Sequence, residues 1–339
     1  MKLTTLCAGL LGLAGIAAVP AGTDISFKPK ESTTLEKEFT ISLDFALDDM
    51  TVTMNGEEMD PAMMGLDLDE ATAQMTLNLA FTDEYKAMDG ARPKELKRTF
   101  KSGTASYETG SGESGDESMD EVEGEVVVFK WNEENGAYDL TNGDGEEVKE
   151  EMQMMAEDTD LRIFLPKSSV EVDDTWSVKG KDLLHVLIPG VNVEKAMARA
   201  DQEAANEKAP FTPSDFMKFM DELGEVECTY KGTREVDGAE LQVIALKPTM
   251  KKTIDLTDTL AEIIDQASGG QEVEIDMKLT LEGEGTGELL WDPAAGHFKS
   301  YKLDIELHTL VNASGGAQGM TGAMEMEATT TLGYEFKAE

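Results

Sequence analysis

The chain has 339 residues and carries 69 acidic and 29 basic side chains, a formal net charge of −40 at pH 7. A surface this negative repels nucleic acid and anionic membranes, so neither is expected as a partner. Apolar residues make up 40% of the sequence, which is enough to bury a core.

Residues 1–21 have the features of a secretory signal peptide. A single Lys2 precedes an apolar run over residues 6–19, and small residues lead to Ala21. This order predicts cleavage after Ala21 and export to a periplasm or to the cell exterior. The run is shorter than the ~20 apolar residues that cross a bilayer, so no membrane span is expected. Cys7 leaves with the leader, and Cys228 alone can form neither an intrachain disulfide nor a zinc cluster of cysteines.

Residues 22–101 are predicted to form an N-terminal β region. Apolar and polar residues alternate from Phe39 to Leu47, and the alternation then changes phase at Met50. A β-bulge near Asp48 would account for this change of phase. The following residues 102–124 are rich in Gly, Ser, Glu and Asp, a composition that predicts a flexible acidic insertion.

Residues 125–190 are predicted to form a second β region that contains one helix. The helix formers lie at 146–156, among several methionines. Near the end of the region, Asp173-Asp174-Thr175 is typical of a turn that delivers Trp176 to the core.

Residues 191–224 are predicted to be helical. An Ala-rich surface helix ends before Pro210, and a second helix at 213–223 follows it. The second helix carries one apolar stripe, which includes Phe216, Phe219 and Met220.

Residues 225–339 are predicted to contain a hairpin, a short helix at 256–267 and a three-stranded meander. From Val273 to Trp291 every odd-numbered residue is apolar or glycine, while all but one of the even-numbered residues are polar. This is the pattern of a strand with two different faces. So long a strand must bend, and the glycines from Gly283 to Gly287 are therefore predicted to form a hinge and not a phosphate-binding loop.

These elements predict an α+β fold that is mostly β. Its main feature is a large curved antiparallel sheet shaped like half a barrel, because neighbouring strands are joined by hairpins and not by crossover helices. The helices at 213–223 and 256–267 are expected to pack on the concave face.

One segment resembles known families. Residues 165–176 read Leu-Pro-Lys-Ser-Ser-Val-Glu-Val-Asp-Asp-Thr-Trp and resemble the Leu-Pro-x-x-x-Val-x-Val-Gly-Asp-Thr-Trp segment of secreted, β-rich bacterial families of unknown function. Gly285 and Gly287 before Trp291 are similar to the strand and turn that often end these families. Asp173 departs from the usual glycine. The resemblance implies export and a β-rich fold; more distantly, the curved sheet is like that of periplasmic lipoprotein carriers.

The sequence contains no catalytic motif, and a non-enzymatic protein is predicted. His185, His297 and His308 lack the spacing of a metal site or a triad and are expected to be solvated. The turn at 142–146 has calcium-friendly residues in the wrong positions for an EF-hand, so calcium stays an open alternative and no other cofactor is expected. A carboxylate-dependent hydrolase that uses Glu288 and Asp292 is the enzymatic alternative.

The leading functional prediction is an exported structural or interaction module of the cell envelope or periplasm, with an envelope protein as its partner. If the concave face is left with a gap, the alternative is a carrier of an apolar small molecule or lipid. Twenty methionines supply adaptable side chains for a core or for such a pocket. The residues predicted to line a cavity, or otherwise to form plain core, are Phe216, Phe219, Met220, Leu279, Leu281, Tyr301, Leu303 and Met326.

Overall fold

The structure, a computed structural model, describes residues 22–64, 67–179, 190–207, 224–257, 274–317 and 320–339. The predicted signal peptide, the predicted helix at 213–223 and His185 lie outside these residues. Only the first two residues of the predicted helix at 256–267 are described.

Strands make up most of the described chain, and several are unusually long. Their alternating apolar side chains allow one face to be buried along the whole length of a strand. The strands are β1 Thr33–Met54, β2 Glu57–Met59, β3 Thr72–Asp89, β4 Arg92–Thr109, β5 Ser114–Ser118, β6 Val126–Asn132, β7 Ala137–Thr141, β8 Thr175–Lys179, β9 Gly224–Val236, β10 Ala239–Asp255, β11 Glu274–Asp292, β12 His297–Ala317 and β13 Met320–Ala338.

All thirteen strands belong to one antiparallel sheet. Its order is β7-β6-β4-β3-β1-β13-β12-β11-β10-β9-β8, while β2 pairs with β1 and β5 pairs with β4. The two ends of this order, β7 and β8, do not pair with each other, so the sheet is not closed into a barrel. The predicted mostly-β fold with one large antiparallel sheet is confirmed.

The sheet register follows the sequence pattern closely. A register shift between Leu47 and Asp49 in the pairing of β1 with β13 confirms the predicted bulge. Because the bulge places Met50 opposite Met326, the apolar side chains beyond it stay on the same face. Asp237 and Gly238 have φ angles of 52° and 80°, which match the positive φ values of a tight hairpin turn between β9 and β10.

The sheet is strongly curved. The ring of Phe27 lies 5.7 Å from that of Tyr85 on β3 and 6.5 Å from that of Trp291 on β11. Three strands separate β3 from β11 in the sheet. Neighbouring strands are ~4.8 Å apart, so a flat sheet would hold these two rings too far apart for one phenylalanine to touch both. We call the face that carries Tyr85 and Trp291 the concave face and the opposite, charged face the outer face.

The segment resembling secreted β-rich families forms a tight turn. Asp173 has a φ of 71°, in the left-handed region that favours the glycine usually found there. The Asp173 carboxylate pairs with Lys231 Nζ at 2.9 Å. The turn leads Trp176 to the edge of the core, where its Nε1 donates a hydrogen bond to the Phe164 carbonyl at 3.0 Å.

Residues 102–124 differ from the predicted flexible insertion. They complete β4 and form β5, which pairs with β4 from Thr104 to Glu108. Backbone pairing needs no large side chains, and two glycines receive the few that are present: Met119 packs against Gly103, and the Tyr107 ring lies over Gly115. Composition predicted flexibility because it ignored these pairings.

The prediction of a helix at 146–156 is also wrong. Only a 3-10 turn forms, at Glu150–Met154, and the residue before it, Lys149, has the extended ψ angle of 153°. Along this irregular path, Val148 and Met152 are buried in the core cluster on the sheet. One α-helix is described, α1 at Val193–Glu207, which confirms the described part of the predicted Ala-rich helix.

Candidate functional site

The concave face is sealed at one end by the protein's own chain. We call this end the proximal half; it contains Phe39, Tyr301 and Leu289, all nearly inaccessible to solvent. Two irregular segments cover it, residues 22–30 and 142–173. The side chains that these segments bury in the core are Ile25, Phe27, Val148, Met152, Leu161, Phe164 and Val170. Within the described chain, these segments take the place that was predicted for helices.

Tyr301 lies in the middle of the sealed half. Its ring stacks between Phe164, at a centroid distance of 5.7 Å, and Phe336, at 5.1 Å. Leu303, two residues further along β12, is 3% exposed. Tyr301 and Leu303 were predicted either to line a cavity or to form plain core. In the structure both are core residues.

A buried ion network ties the covering segment to the sheet. Lys37 Nζ lies 2.9 Å from Asp83 Oδ2 and 2.7 Å from Asp160 Oδ1. Arg98 Nε donates to Asp83 Oδ1 at 2.8 Å. The Tyr85 hydroxyl lies 2.7 Å from Asp160 Oδ2 and donates to it. Lys37, Asp83 and Arg98 come from the sheet, whereas Asp160 comes from the covering segment, so the network joins the two.

The four charged side chains of this network balance one another. Burial by itself raises the pKa of Asp83, but the charges of Arg98 and Lys37 outweigh it and lower that pKa to about 2. Burial and the nearby carboxylates of Asp160 and Asp83 raise the pKa of Tyr85 well above its usual value. The carboxylate of Asp83 is therefore charged, and the hydroxyl of Tyr85 protonated, near neutral pH.

This network is a structural clamp with no open path to a substrate. Lys37 and Asp83 are 0% exposed, and Arg98 and Asp160 are 1% exposed. Arg98 also donates to the main-chain oxygens of Ala156 and Glu157, both at 3.0 Å. The clamp holds the start of the 156–164 stretch against β3 and β4.

The other end of the concave face, the distal half, is open. It contains an apolar groove of about 460 Å³, within the ~300–1,000 Å³ of small-molecule sites. Met54 at its edge is 50% exposed and Met320 is 57% exposed. We call this feature the distal groove; its lining residues are Val52, Thr53, Met54, Glu274, Ile275, Ala313, Ser314, Gly315, Gly316, Met320, Thr321, Gly322, Ala323 and Met324.

Three of the residues predicted for a cavity lie just below the distal groove. Met326 is opposite Val311 on β12, which in turn is opposite Leu279 on β11. Leu281 forms a small second core cluster with Ile254. Phe216, Phe219 and Met220 lie outside the described residues. Three of the predicted cavity residues therefore lie next to the groove on the side of the proximal half. The residues that line the groove itself were not predicted.

The glycines of β11 make room for neighbouring side chains. A Cβ atom on Gly287 would lie 2.7 Å from Leu303 Cδ1, and one on Gly285 would lie 2.8 Å from Pro248 Cγ. A Cβ on Gly283 would lie 3.2 Å from Leu307 Cδ1. These side chains of β10 and β12 therefore lie across the glycine row on the concave face.

The acids of the hydrolase alternative do not converge. Glu288 forms an ion pair with Arg234 on the outer face. Asp292 Oδ1 accepts hydrogen bonds from the backbone amides of Ala294 and Ala295 and so closes the turn before β12.

The described histidines have different surroundings. His308 is exposed on the outer face and contacts Glu306 and Thr329, as the alternation predicts. His297 is buried, contrary to prediction, and the residue before it, Gly296, accepts a hydrogen bond from the Lys28 amide of the N-terminal segment at 2.8 Å. Burial lowers the pKa of His297.

The turn considered for calcium uses its side-chain oxygen internally. Asn142 Oδ1 accepts hydrogen bonds from the amides of Asp144, at 3.0 Å, and Glu146, at 2.9 Å. Among the described residues, no group of three or more His, Cys, Asp or Glu is placed to hold a metal ion.

The sequence matches no protein-family model and no curated protein. Within the described ranges, no helix has both the length and the apolar character needed to cross a bilayer.

Proposed function

We propose that the protein is an exported, non-enzymatic carrier that binds an apolar ligand, such as an alkyl chain, in the distal groove. The observation that carries this proposal is a change in exposure along one face of single strands. On β13, Phe336 and Tyr334 are 0% and 4% exposed, whereas Met324 further along the same face is half-buried and Met320 is 57% exposed.

Apolar side chains that face water in an open groove forgo the free energy that burial would provide, unless a ligand covers them. Burying apolar surface stabilises a protein by roughly 25 cal/mol per Å², so the partly exposed side chains leave free energy available to a ligand. The methionines at the groove suit this role, because their unbranched thioether side chains adapt to ligands of varied shape.

The open distal groove favours a carrier over the other predicted functions. A purely structural or interaction module was expected if the concave face were filled. Among the described residues, the large core cluster fills the proximal half and a small second cluster around Ile254 and Leu281 lies below the distal groove, but the groove itself is open. The hydrolase alternative has no support from the positions of Glu288 and Asp292, which stabilise the outer face and a turn.

Native mass spectrometry of the protein purified from its exported fraction tests the carrier proposal. We expect a co-purified apolar species, with much of it lost in Ala313→Trp, which fills the groove. The matched control is Thr331→Trp, on the exposed outer face of the neighbouring strand β13. Wild-type protein with no bound species that also fails to bind added alkyl ligand would refute the proposal, as would unchanged binding by Ala313→Trp.

Export itself is tested by the intact mass of the protein in cell fractions. We expect the extracytoplasmic form to begin at Gly22. Full-length protein that stays in the cytoplasm would contradict the proposed export.

A further inference from the structure

We infer that the distal groove selects amphiphiles with a cationic or neutral head group and rejects those with an anionic head group. This inference rests on the proposed function, because it concerns the ligand of the same groove. The apolar lining would hold the alkyl chain, and the charges at the rim would select the head group.

Several carboxylates adjoin the groove. Glu274, at the start of β11, is the single charged residue among its described lining residues. On the neighbouring strand β2, Glu57 pairs with Met54 and Glu58 pairs with Thr53, so both acids adjoin the groove residues of β1. Asp276 and Glu325 occupy outer-face positions next to lining residues of β11 and β13.

Among the described residues, the lysines of β10 and β11 do not line the groove. Lys278 is on the outer face, where it already pairs with Asp276 at 3.2 Å. Lys252 is on the concave face, but it lies deeper, opposite Leu281, and interacts with a partner of its own. None of the described lining residues is a lysine or an arginine.

This distribution acts on a bound head group through short-range and long-range electrostatics. A head group at the mouth would lie within the ~8 Å screening length of the rim carboxylates at physiological ionic strength. The net charge of −40 adds a field of the same sign over the whole molecule. A carboxylate or phosphate head would therefore be repelled, whereas a quaternary ammonium would be attracted.

Three amphiphiles with the same alkyl chain test the inference: dodecyltrimethylammonium, dodecyl maltoside and dodecanoate. Each is used below its micelle-forming concentration, at neutral pH, to displace a neutral fluorescent alkyl probe from the exported protein. At low salt we expect the ammonium compound to bind about tenfold tighter than dodecanoate, with a smaller difference at high salt.

Two charge-neutralising variants locate the effect. Glu274→Gln should reduce the preference for ammonium over carboxylate about threefold, whereas Glu284→Gln, ten residues further along the same strand and exposed on the outer face, should change it less than about twofold. If dodecanoate binds as tightly as the ammonium compound, the head-group inference is overturned while the carrier proposal stands. If none of the three displaces the probe, the carrier proposal fails and the inference fails with it.

Discussion

Lys37 Nζ and Asp160 Oδ1 lie 2.7 Å apart, although 123 positions separate the two residues in the sequence. Lys37 projects from β1, and Asp160 belongs to the segment that covers the proximal half of the concave face. Because both side chains are buried, this ion pair fixes the cover to the sheet. The half of the apolar face beneath this cover is core, and the distal half carries the open groove.

The first prediction concerns the loss of one charge from the clamp. Lys37→Met leaves Asp160 and Asp83 buried with too little positive charge, so we expect a loss of about 3–5 kcal/mol in the free energy of unfolding. Urea denaturation measures it. Lys101→Met is the matched control, because Lys101 pairs with Glu36 in solvent and should contribute at most about 1 kcal/mol.

A double variant separates charge from packing in this test. Lys37→Met combined with Asp160→Leu removes one charge of each sign, so it should lose less stability than the sum of the two single variants. If Lys37→Met costs no more than Lys101→Met, the clamp has no energetic role.

The second prediction concerns acid stability. The pKa of Asp83 is lowered from the usual 3.8 of an aspartate to about 2 in the folded protein. The contribution of this carboxylate to the free energy of unfolding is therefore complete above pH ~5. It is lost, by roughly 2 kcal/mol, as the pH falls toward ~2. Carbon-13 NMR of the Asp83 carboxyl group checks the cause. A titration midpoint near pH 4 in the folded protein would show that the ion network does not lower the pKa of Asp83.

A third prediction concerns the glycine row. Gly287→Ala would place Cβ 2.6 Å from the Lys302 main-chain oxygen, so we expect a loss of about 1–3 kcal/mol in thermal or urea unfolding. Gly322→Ala is the control, because its nearest atom is the Thr53 oxygen at 3.6 Å. Equal stability of the two variants would mean that the close packing across Gly287 is not needed.

A fourth prediction concerns the turn before Trp176. Asp173→Gly should change the free energy of unfolding little or raise it by up to about 1 kcal/mol, since glycine adopts the observed φ of 71° without strain. Asp173→Val should lower it by about 1–2 kcal/mol, because a β-branched residue is disfavoured there. If both variants melt at the wild-type temperature, the turn is free to adopt another conformation.

The sequence predicted the strands better than it predicted what covers them. Alternation identified the long strand, its meander and the bulge at Asp48, because a period of two survives along each strand. The covering segments 22–30 and 142–173 have no such period. Their path depends on tertiary contacts such as Phe27 between β3 and β11, which a local pattern cannot show.

The ion clamp had a signal that could have been recognised. Lys37, Asp83 and Arg98 stand at core-facing positions of otherwise apolar alternation, next to Phe39, Tyr85 and Phe100 respectively. Such buried charges must be paired, so three of them in one sheet predict a network. Asp160 could not be assigned to it, because the irregular segment carries no periodicity.

The distal groove was predicted only in outline. Leu279, Leu281 and Met326 lie below the opening, but the sequence could not show where the cover ends and the groove begins. That boundary depends on where the covering segments end, and their path depends on contacts between distant parts of the chain.

The most direct test of the proposed function is an NMR spectrum of the protein labelled with carbon-13 at its methionine methyl groups, recorded with and without dodecyl maltoside. We expect the methyl signals of Met54, Met320 and Met324 to shift, since these residues line the groove. The signals of Met152 in the core and of Met119 on the β4–β5 hairpin should not move. Shifts at Met119 in place of the groove methionines, or no shift at any methionine, would contradict an apolar ligand site in the distal groove.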